Sequence, residues 1–266
     1  MASQWTAPVR DFMSRSLISV RPETALAEVQ RILEAHEISS VPIVDAGGTL
    51  RGILSTKDLL HVARLEISAP EQTSRVTLPL KTAADLMRVA VLTIDELAPV
   101  GKAAQEMLRH RVHRLVVLRE GLPARVISTR DAMSAIVMQR IKTPLERVMT
   151  IEIETVDMND PVDLAVERLD DANIRGLVVL DGQWPIGVFT HTEAFRCREL
   201  PRAMRKIPVE QLMSYETICL DTATPMDRVV SYARQMRVRR ILAVHGNALK
   251  GIATGFDLLR VMSEPN

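Results

Sequence analysis

At 266 residues, with 47% hydrophobic and 25% charged residues, the chain has the make-up of a globular protein able to bury a substantial core. Its 34 basic residues nearly cancel its 33 acidic ones, leaving a formal charge of +1, so no overall field draws in nucleic acid or an anionic membrane. Cys197 and Cys219, its 2 cysteines, form neither a CxxC pair nor a disulfide framework, and no apolar run resembles a signal peptide or approaches the ~18 residues of a bilayer span, so a reducing, cytoplasmic setting is expected.

The first repeating segment opens with VRDFMS, ending at Ser14, followed by a β-prone run over Leu17 to Val20. Leu26, Val29 and Leu33 then recur at helical spacing. An apolar strand over Val41 to Val44 runs into the turn residues Asp45 to Gly48, and a second strand ends in Ser55 with Asp58 three positions on, at the head of another helix. After a joining segment near Val62 to Lys81, the same order returns. AADLMR ends at Arg88, Val100, Ala104 and Met107 mark the helix, Leu115 to Leu118 the strand, and Ser128 and Asp131 the closing pair.

Beyond a second joining segment near Met138 to Pro144 comes LERVMT, ending at Thr150, with helix positions Val162, Val166 and Leu169, strand Leu177 to Leu180, turn Asp181-Gly182, and the pair Thr190 and Glu193. The last joining segment, near Arg196 to Ile207, leads to VEQLMS, ending at Ser214, helix positions Met226, Val230 and Ala233, strand Ile241 to Val244, turn Gly246-Asn247, and the pair Thr254 and Asp257. The opening Met and closing Ser/Thr are 41 or 42 residues apart in all four copies, a register that chance does not hold. Each unit reads strand, helix, strand, strand, helix. At roughly 50–60 residues it is small for an independent core, so four copies suggest two pairs, separated at the middle joining segment.

These residues resemble the cystathionine-β-synthase (CBS) domain family from about Val9 to Arg260. The signatures are FMSRSLISVRPETALAEVQRILEAHEISSVPIVD and GILSTKDLL in the first repeat. The resemblance implies an α/β fold with small α+β sheets: four tandem CBS domains of β-α-β-β-α type at 9–62, 82–137, 145–197 and 209–262, paired into two Bateman modules that form a disk like the gamma subunit of AMP-activated protein kinase. It also implies ligand clefts for adenine nucleotides such as AMP, ADP and ATP, or a related adenosyl ligand, and no catalysis.

Ser or Thr followed three residues later by an acid is in itself a capping box, which satisfies the free amides of a helix start. The resemblance adds a ligand role: the acid accepts ribose hydroxyls and the Ser/Thr lies near phosphate. Both roles can share a helix N-terminus, where amides and dipole suit an anion. The candidates are Ser55 with Asp58, Ser128 with Asp131, Thr190 with Glu193 and Thr254 with Asp257. Repeats 1 and 4 keep the full pattern, Gly52 to Asp58 and Gly251 to Asp257. Repeat 2 has Arg125 where the pattern has Gly, which either crowds the cleft or contacts phosphate, and repeat 3 has the longer Glu193, marking its site as the first to be empty.

Phosphate needs cations. VHRLVV at 112–117 resembles phosphate-contacting segments of the kinase gamma subunit, and IRGLVV at 174–179 and RVRRILAV at 237–244 occupy the equivalent place, making His113, Arg114, Arg175, Arg239 and Arg240 candidates; guanidinium forks suit phosphate oxygens, though such residues are also ordinary solvated charges at a strand's end. Repeat 1 has Ser39 and Ser40 there. By the same resemblance adenine would lie beside the opening strand, near Leu17 to Ser19 and Thr217 to Cys219. Other readings have less support. The repeats leave no room for a catalytic domain. Arg111 and Arg114 oppose a metal at His110 and His113, and no metal or resident cofactor is expected. RHRVHR at 109–114 lacks a DNA-binding motif, so nucleic acid is the lesser alternative. The 13 methionines fall at core-type positions. The main competitor is a partner-binding scaffold with empty clefts. An unidentified effector protein, a homodimer and no membrane complete the expected partners.

Overall fold

The computed structural model describes residues 5–68, 73–171, 176–198 and 206–263. The chain divides into two compact units, Met1–Ala132 and Met133–Asn266, each built from two copies of one motif. In the first unit, repeat 1 contains α1 (Leu26–Ala35), β1 (Ser40–Val44), β2 (Leu50–Ser55) and α2 (Thr56–Val62). A hairpin, β3 (Arg64–Ser68) with β4 (Thr73–Thr77), precedes repeat 2, which contains α3 (Ala83–Leu86), β5 (Thr93–Asp95), α4 (Val100–His110), β6 (Arg114–Arg119), β7 (Leu122–Ser128) and α5 (Thr129–Ala132). The second unit begins with α6 (Ser134–Met138). Repeat 3 follows as β8 (Thr155–Asp157), α7 (Val162–Asp171), β9 (Gly176–Asp181), β10 (Trp184–Thr190) and α8 (His191–Arg198). Repeat 4 is β11 (Thr217–Asp221), α9 (Met226–Gln235), β12 (Arg240–His245), β13 (Ala248–Thr254) and α10 (Gly255–Arg260).

In repeats 2, 3 and 4 the sheet has three strands, with the opening strand parallel to the central one and the last strand antiparallel to it. Repeat 1 departs from expectation, because Leu17 to Val20 makes a single parallel bridge, Val20 to Ile43, and no strand. Val20 donates to the Pro42 carbonyl and accepts from Val44, but the ladder stops there: Pro42 has no N–H to extend it. Leu242 stands at that place in repeat 4, and β11 runs for 5 residues. All four hairpins carry a bulge one residue before the Gly52, Arg125, Gly187 and Gly251 position.

The middles of the central strands are apolar because both faces are covered there. Val41, Ile43, Leu115 to Val117, Leu177 to Val179 and Ile241 to Ala243 are all buried. The helix stripes face these strands as the spacing predicts, save that Val166 is partly buried and Ala165 takes the inward place.

Each repeat is completed by its partner. The first amides of α1, α4, α7 and α9 donate to carbonyls of the other repeat's opening segment: Leu26 to Lys81, Val100 to Ala7, Val162 to Ile207 and Met226 to Thr143, at 2.8 to 3.0 Å. In return Ala83 donates to Thr24, Val9 to Ala98, Val209 to Asp160 and Leu145 to Thr224. This exchange supplies the acceptors that a capping side chain would otherwise provide, and Ala25, Pro99 and Pro225 precede their helices without a side-chain cap. Ala83 joins the core of repeat 1, and Val209 and Met213 join that of repeat 3.

Two joining segments differ from their reading as plain connections. The first contains the β3–β4 hairpin, paired from Arg64–Thr77 to Ser68–Thr73. At the second, the units divide at Ala132/Met133 rather than within 138–144, because α6 packs on α9 and so belongs with the second unit. Among the described residues no helix is long and apolar enough to cross a membrane.

Candidate functional site

The hydroxyl and acid of each repeat are joined by the hairpin and the helix that follows it. Ser55 donates its amide to Asp58 Oδ2 at 3.0 Å and its hydroxyl to the same oxygen, while the Asp58 amide returns to Ser55 Oγ at 3.3 Å. Ser128 makes the same bonds to Asp131 at 2.8 and 2.6 Å, with the return bond at 3.3 Å. Thr254 reaches Asp257 Oδ2 at 2.8 and 2.7 Å. In repeat 3 the extra methylene of Glu193 is accommodated: Thr190 donates amide and hydroxyl to Oε2 at 3.0 and 2.5 Å.

All four pairs thus form capping-type interactions. A fifth capping box, Thr82 with Asp85, provides an internal comparison. Its carboxylate is exposed, whereas Asp58, Glu193 and Asp257 are only 7%, 6% and 7% exposed; Asp131 is half-buried. Capping alone does not require that burial. The partner repeat's opening segment is bridged to the strand that ends in the hydroxyl residue paired with each of these three carboxylates. Ile53 pairs with Arg88, Val188 with Ser214 and Ile252 with Thr150, each through two reciprocal backbone bonds of 2.8 to 3.0 Å.

Strand register sets the cations beside the hydroxyls. Arg114 is the cross-strand partner of Ser128, and Arg240 that of Thr254; in repeats 1 and 3 those places are held by Ser40 and Gly176. From its strand Arg114 reaches into the other repeat, where Nη1 donates to Ser39 Oγ and, at 3.3 Å, to Ser40 Oγ. Burial lowers the pKa of the Arg240 guanidinium; Arg239 adds to this by repulsion, and the carboxylates of Glu193 and Glu216 oppose it. His113 and Arg239 are exposed, and Arg175 lies outside the described residues.

Two acids carry further cations. Arg88 Nε and Nη2 donate to Asp58 Oδ1 at 2.9 and 2.6 Å, and Arg260 Nη1 lies 3.2 Å from Asp257 Oδ1. Burial pushes the Asp58 carboxyl up, but the Ser55 hydroxyl, Arg88 and the Ser55 amide outweigh it and hold the pKa below its ordinary 3.8. Sequence reasoning assigned no role to Arg88 or Glu216. The available signal for Arg88 was its place at the end of AADLMR, where the other openings end in Ser or Thr.

Arg125 is partly buried on the last strand of repeat 2. Its Nη1 donates to the Ala124 carbonyl at 2.7 Å. Its main effect is on repeat docking: Gly52, Gly187 and Gly251 leave room for Met87, Met213 and Met149 of the partner's opening, and repeat 2 has a side chain there. Ser14 still donates to the Val126 carbonyl at 2.9 Å, but the Val126 amide turns to Ser14 Oγ at 3.3 Å, replacing the second backbone bond. At the expected adenine edge of repeat 4, Cys219 Sγ donates to the Pro185 carbonyl at 3.4 Å. A surface depression of about 550 Å³ lies elsewhere in the second unit, lined by Asp181, Gln183, Trp184 and Asn247, and none of the candidate residues lines it.

Comparison with known proteins places these observations. The model of the CBS domain matches residues 9–64, 83–138 and 145–199. A protein of Methanocaldococcus jannaschii is 23% identical over 97% of this chain, which spans 62% of that relative's length. A solved structure from the same organism, a proposed archaeal homologue of the gamma subunit of AMP-activated protein kinase, superposes with a TM-score of 0.70 at 15% identity, covering 96% of this chain and 99% of the other. A conserved protein of Pyrococcus horikoshii gives a TM-score of 0.67 at 20% identity over 96% of this chain and 99% of the other.

Proposed function

Because the chain belongs to the CBS-domain family, we propose that it is a non-catalytic regulatory protein that binds adenine nucleotides or a related adenosyl ligand between paired repeats and passes that state to an effector protein. One observation carries this reading. Three of the four closing carboxylates are buried at 6–7% exposure, while an equivalent capping acid at Asp85 is exposed. A carboxylate kept from water beside a hydroxyl is a strong acceptor for a ligand's own hydroxyls. Arg114 and Arg240, set across from Ser128 and Thr254, supply positive charge for a phosphoryl tail.

The domains proposed are 9–62, 82–137, 145–197 and 209–262, the last sharing the strand-helix-strand-strand-helix order of repeats 2 and 3. A ligand that contacts both members of a pair stabilises one packing of that pair, which is how occupancy would be read by a partner or by self-association. Titration calorimetry with AMP, ADP, ATP, S-adenosylmethionine and cyclic di-AMP tests the reading. Binding of at least one without turnover supports it; turnover of a bound nucleotide contradicts it.

A second reading is a partner-binding scaffold that takes no ligand. It is favoured by Arg88 and Arg260, which already lie on the acids at 58 and 257. Absence of heat with every one of these ligands would establish it in place of the first.

A further inference from the structure

Repeat 2 has Arg88 where the other openings have Ser14, Thr150 and Ser214. Its backbone is held against the last strand of repeat 1, each of Ile53 and Arg88 donating its amide to the other's carbonyl at 3.0 Å. This fixes the root of the side chain beside Ser55 and Asp58. From there Nε and Nη2 both donate to Asp58 Oδ1, at 2.9 and 2.6 Å, while Oδ2 is taken by the Ser55 amide and hydroxyl. Both oxygens of a carboxylate that is 7% exposed are therefore engaged from within the protein.

The two partners are unequal. The Arg88 side chain is 63% exposed and can swing into water, whereas that of Asp58, at 9%, stays where the fold holds it. Repeat 4 differs, since Arg260 sits in the same helix as Asp257 and its single contact at 3.2 Å ties no two repeats together. We propose that Arg88 is a latch: it clasps repeat 2 onto repeat 1 and covers Asp58, so that a ligand hydroxyl reaches that carboxylate only by displacing the guanidinium. The gating half of this proposal rests on the nucleotide reading above; the clasp does not. Its consequence is a ranking of sites. Repeat 1, despite its complete motif, binds more weakly than repeat 4, and occupation of repeat 1 releases the clasp between its two repeats.

The test has a ligand-bound and a ligand-free arm, both on the full chain. Calorimetry with ATP and with AMP compares the unaltered protein, Arg88→Met, Asp257→Ala and the combination of those two. Arg88→Met should tighten binding at repeat 1 by about tenfold, because the ligand no longer competes with a charged donor. That gain should persist with Asp257→Ala and vanish in Arg88→Met combined with Asp58→Asn, titrated in the same way. In the ligand-free arm, urea unfolding of Arg88→Met, Asp58→Asn and the double variant should show losses that fail to add, as partners in one interaction do. Additive losses, or an Arg88→Met affinity that is unchanged or weaker, overturn the latch. Non-additive losses with no nucleotide bound by any variant sink the nucleotide reading alone and leave the clasp standing.

Discussion

A Cβ placed on Gly187 would stand 2.8 Å from the carbonyl oxygen of Ser214, in the opening of the partner repeat. That oxygen accepts from the Val188 amide at 3.0 Å, and Val188 accepts from Ser214 at 2.8 Å, so a methyl group at 187 pushes against the bridge that docks repeat 4 on repeat 3. Backbone cannot step aside as a side chain can. Gly187→Ala should therefore cost about 1–3 kcal/mol, the usual penalty for overpacking, measured by chemical denaturation.

The first unit docks differently, and this yields a paired prediction. Val126 donates its amide to Ser14 Oγ, whereas Val188 at the equivalent place donates to a backbone carbonyl. Ser14→Ala should lose about 1 kcal/mol of stability by removing that acceptor. Ser214→Ala, whose hydroxyl takes no part in its bridge and accepts only the exposed Glu216 amide at 3.3 Å, should lose less in the same assay, because water replaces an exposed acceptor.

Five non-glycine residues among those described, Glu37, Arg111, Glu120, Arg140 and Arg237, adopt left-handed backbone, and two of them offer a test of its cost. Arg111 ends α4 with φ 52 and ψ 41, and Glu120 precedes Gly121 in a two-residue hairpin with φ of 52 and 79. Arg111→Gly should raise stability by about 0.5–1 kcal/mol, since glycine meets no Cβ penalty there. Glu120→Asn should add a few tenths of a kcal/mol, Asn-Gly being the favoured pair for two successive positive φ values. Melting temperature reads both.

Acid should weaken the Arg88–Asp58 clasp in a defined direction. The native Asp58 carboxyl lies below the 3.8 at which it titrates in the unfolded chain. As pH falls the unfolded form binds the proton first, so the stability Asp58 contributes is complete above about pH 5 and is lost below about pH 4, through the native pKa. Arg88→Met removes one of the groups holding that pKa down. Its stability deficit should be largest at neutral pH and close as pH drops, followed by urea denaturation across the range.

If the acids serve a ligand, Asp257→Ala should weaken nucleotide binding by about 2 kcal/mol, roughly thirtyfold, with the circular dichroism spectrum unchanged. An unchanged affinity in both Asp257→Ala and Asp58→Ala would remove these acids from the site. Calorimetry measures both.

Much of this protein could be read directly from the order of its residues. The fourfold register from Met to Ser/Thr, the stripes such as Leu26, Val29 and Leu33, and the hydroxyl–acid pairs are local patterns, set by helical and strand periodicity and by the needs of a helix start, and the structure realises them in place. What lay beyond reach depends on residues far apart in the chain. The motif glycines answer to methionines of another repeat, Pro42 ends a ladder begun at Val20, and Ala25 and Pro99 can precede helices because Lys81 and Ala7 accept their first amides. Arg88 shows the division most plainly. Its charge was visible in the sequence, but that it closes the carboxylate 30 residues away follows only from the docking of one repeat on the next, since an ion pair is made by proximity in space and no local pattern encodes that.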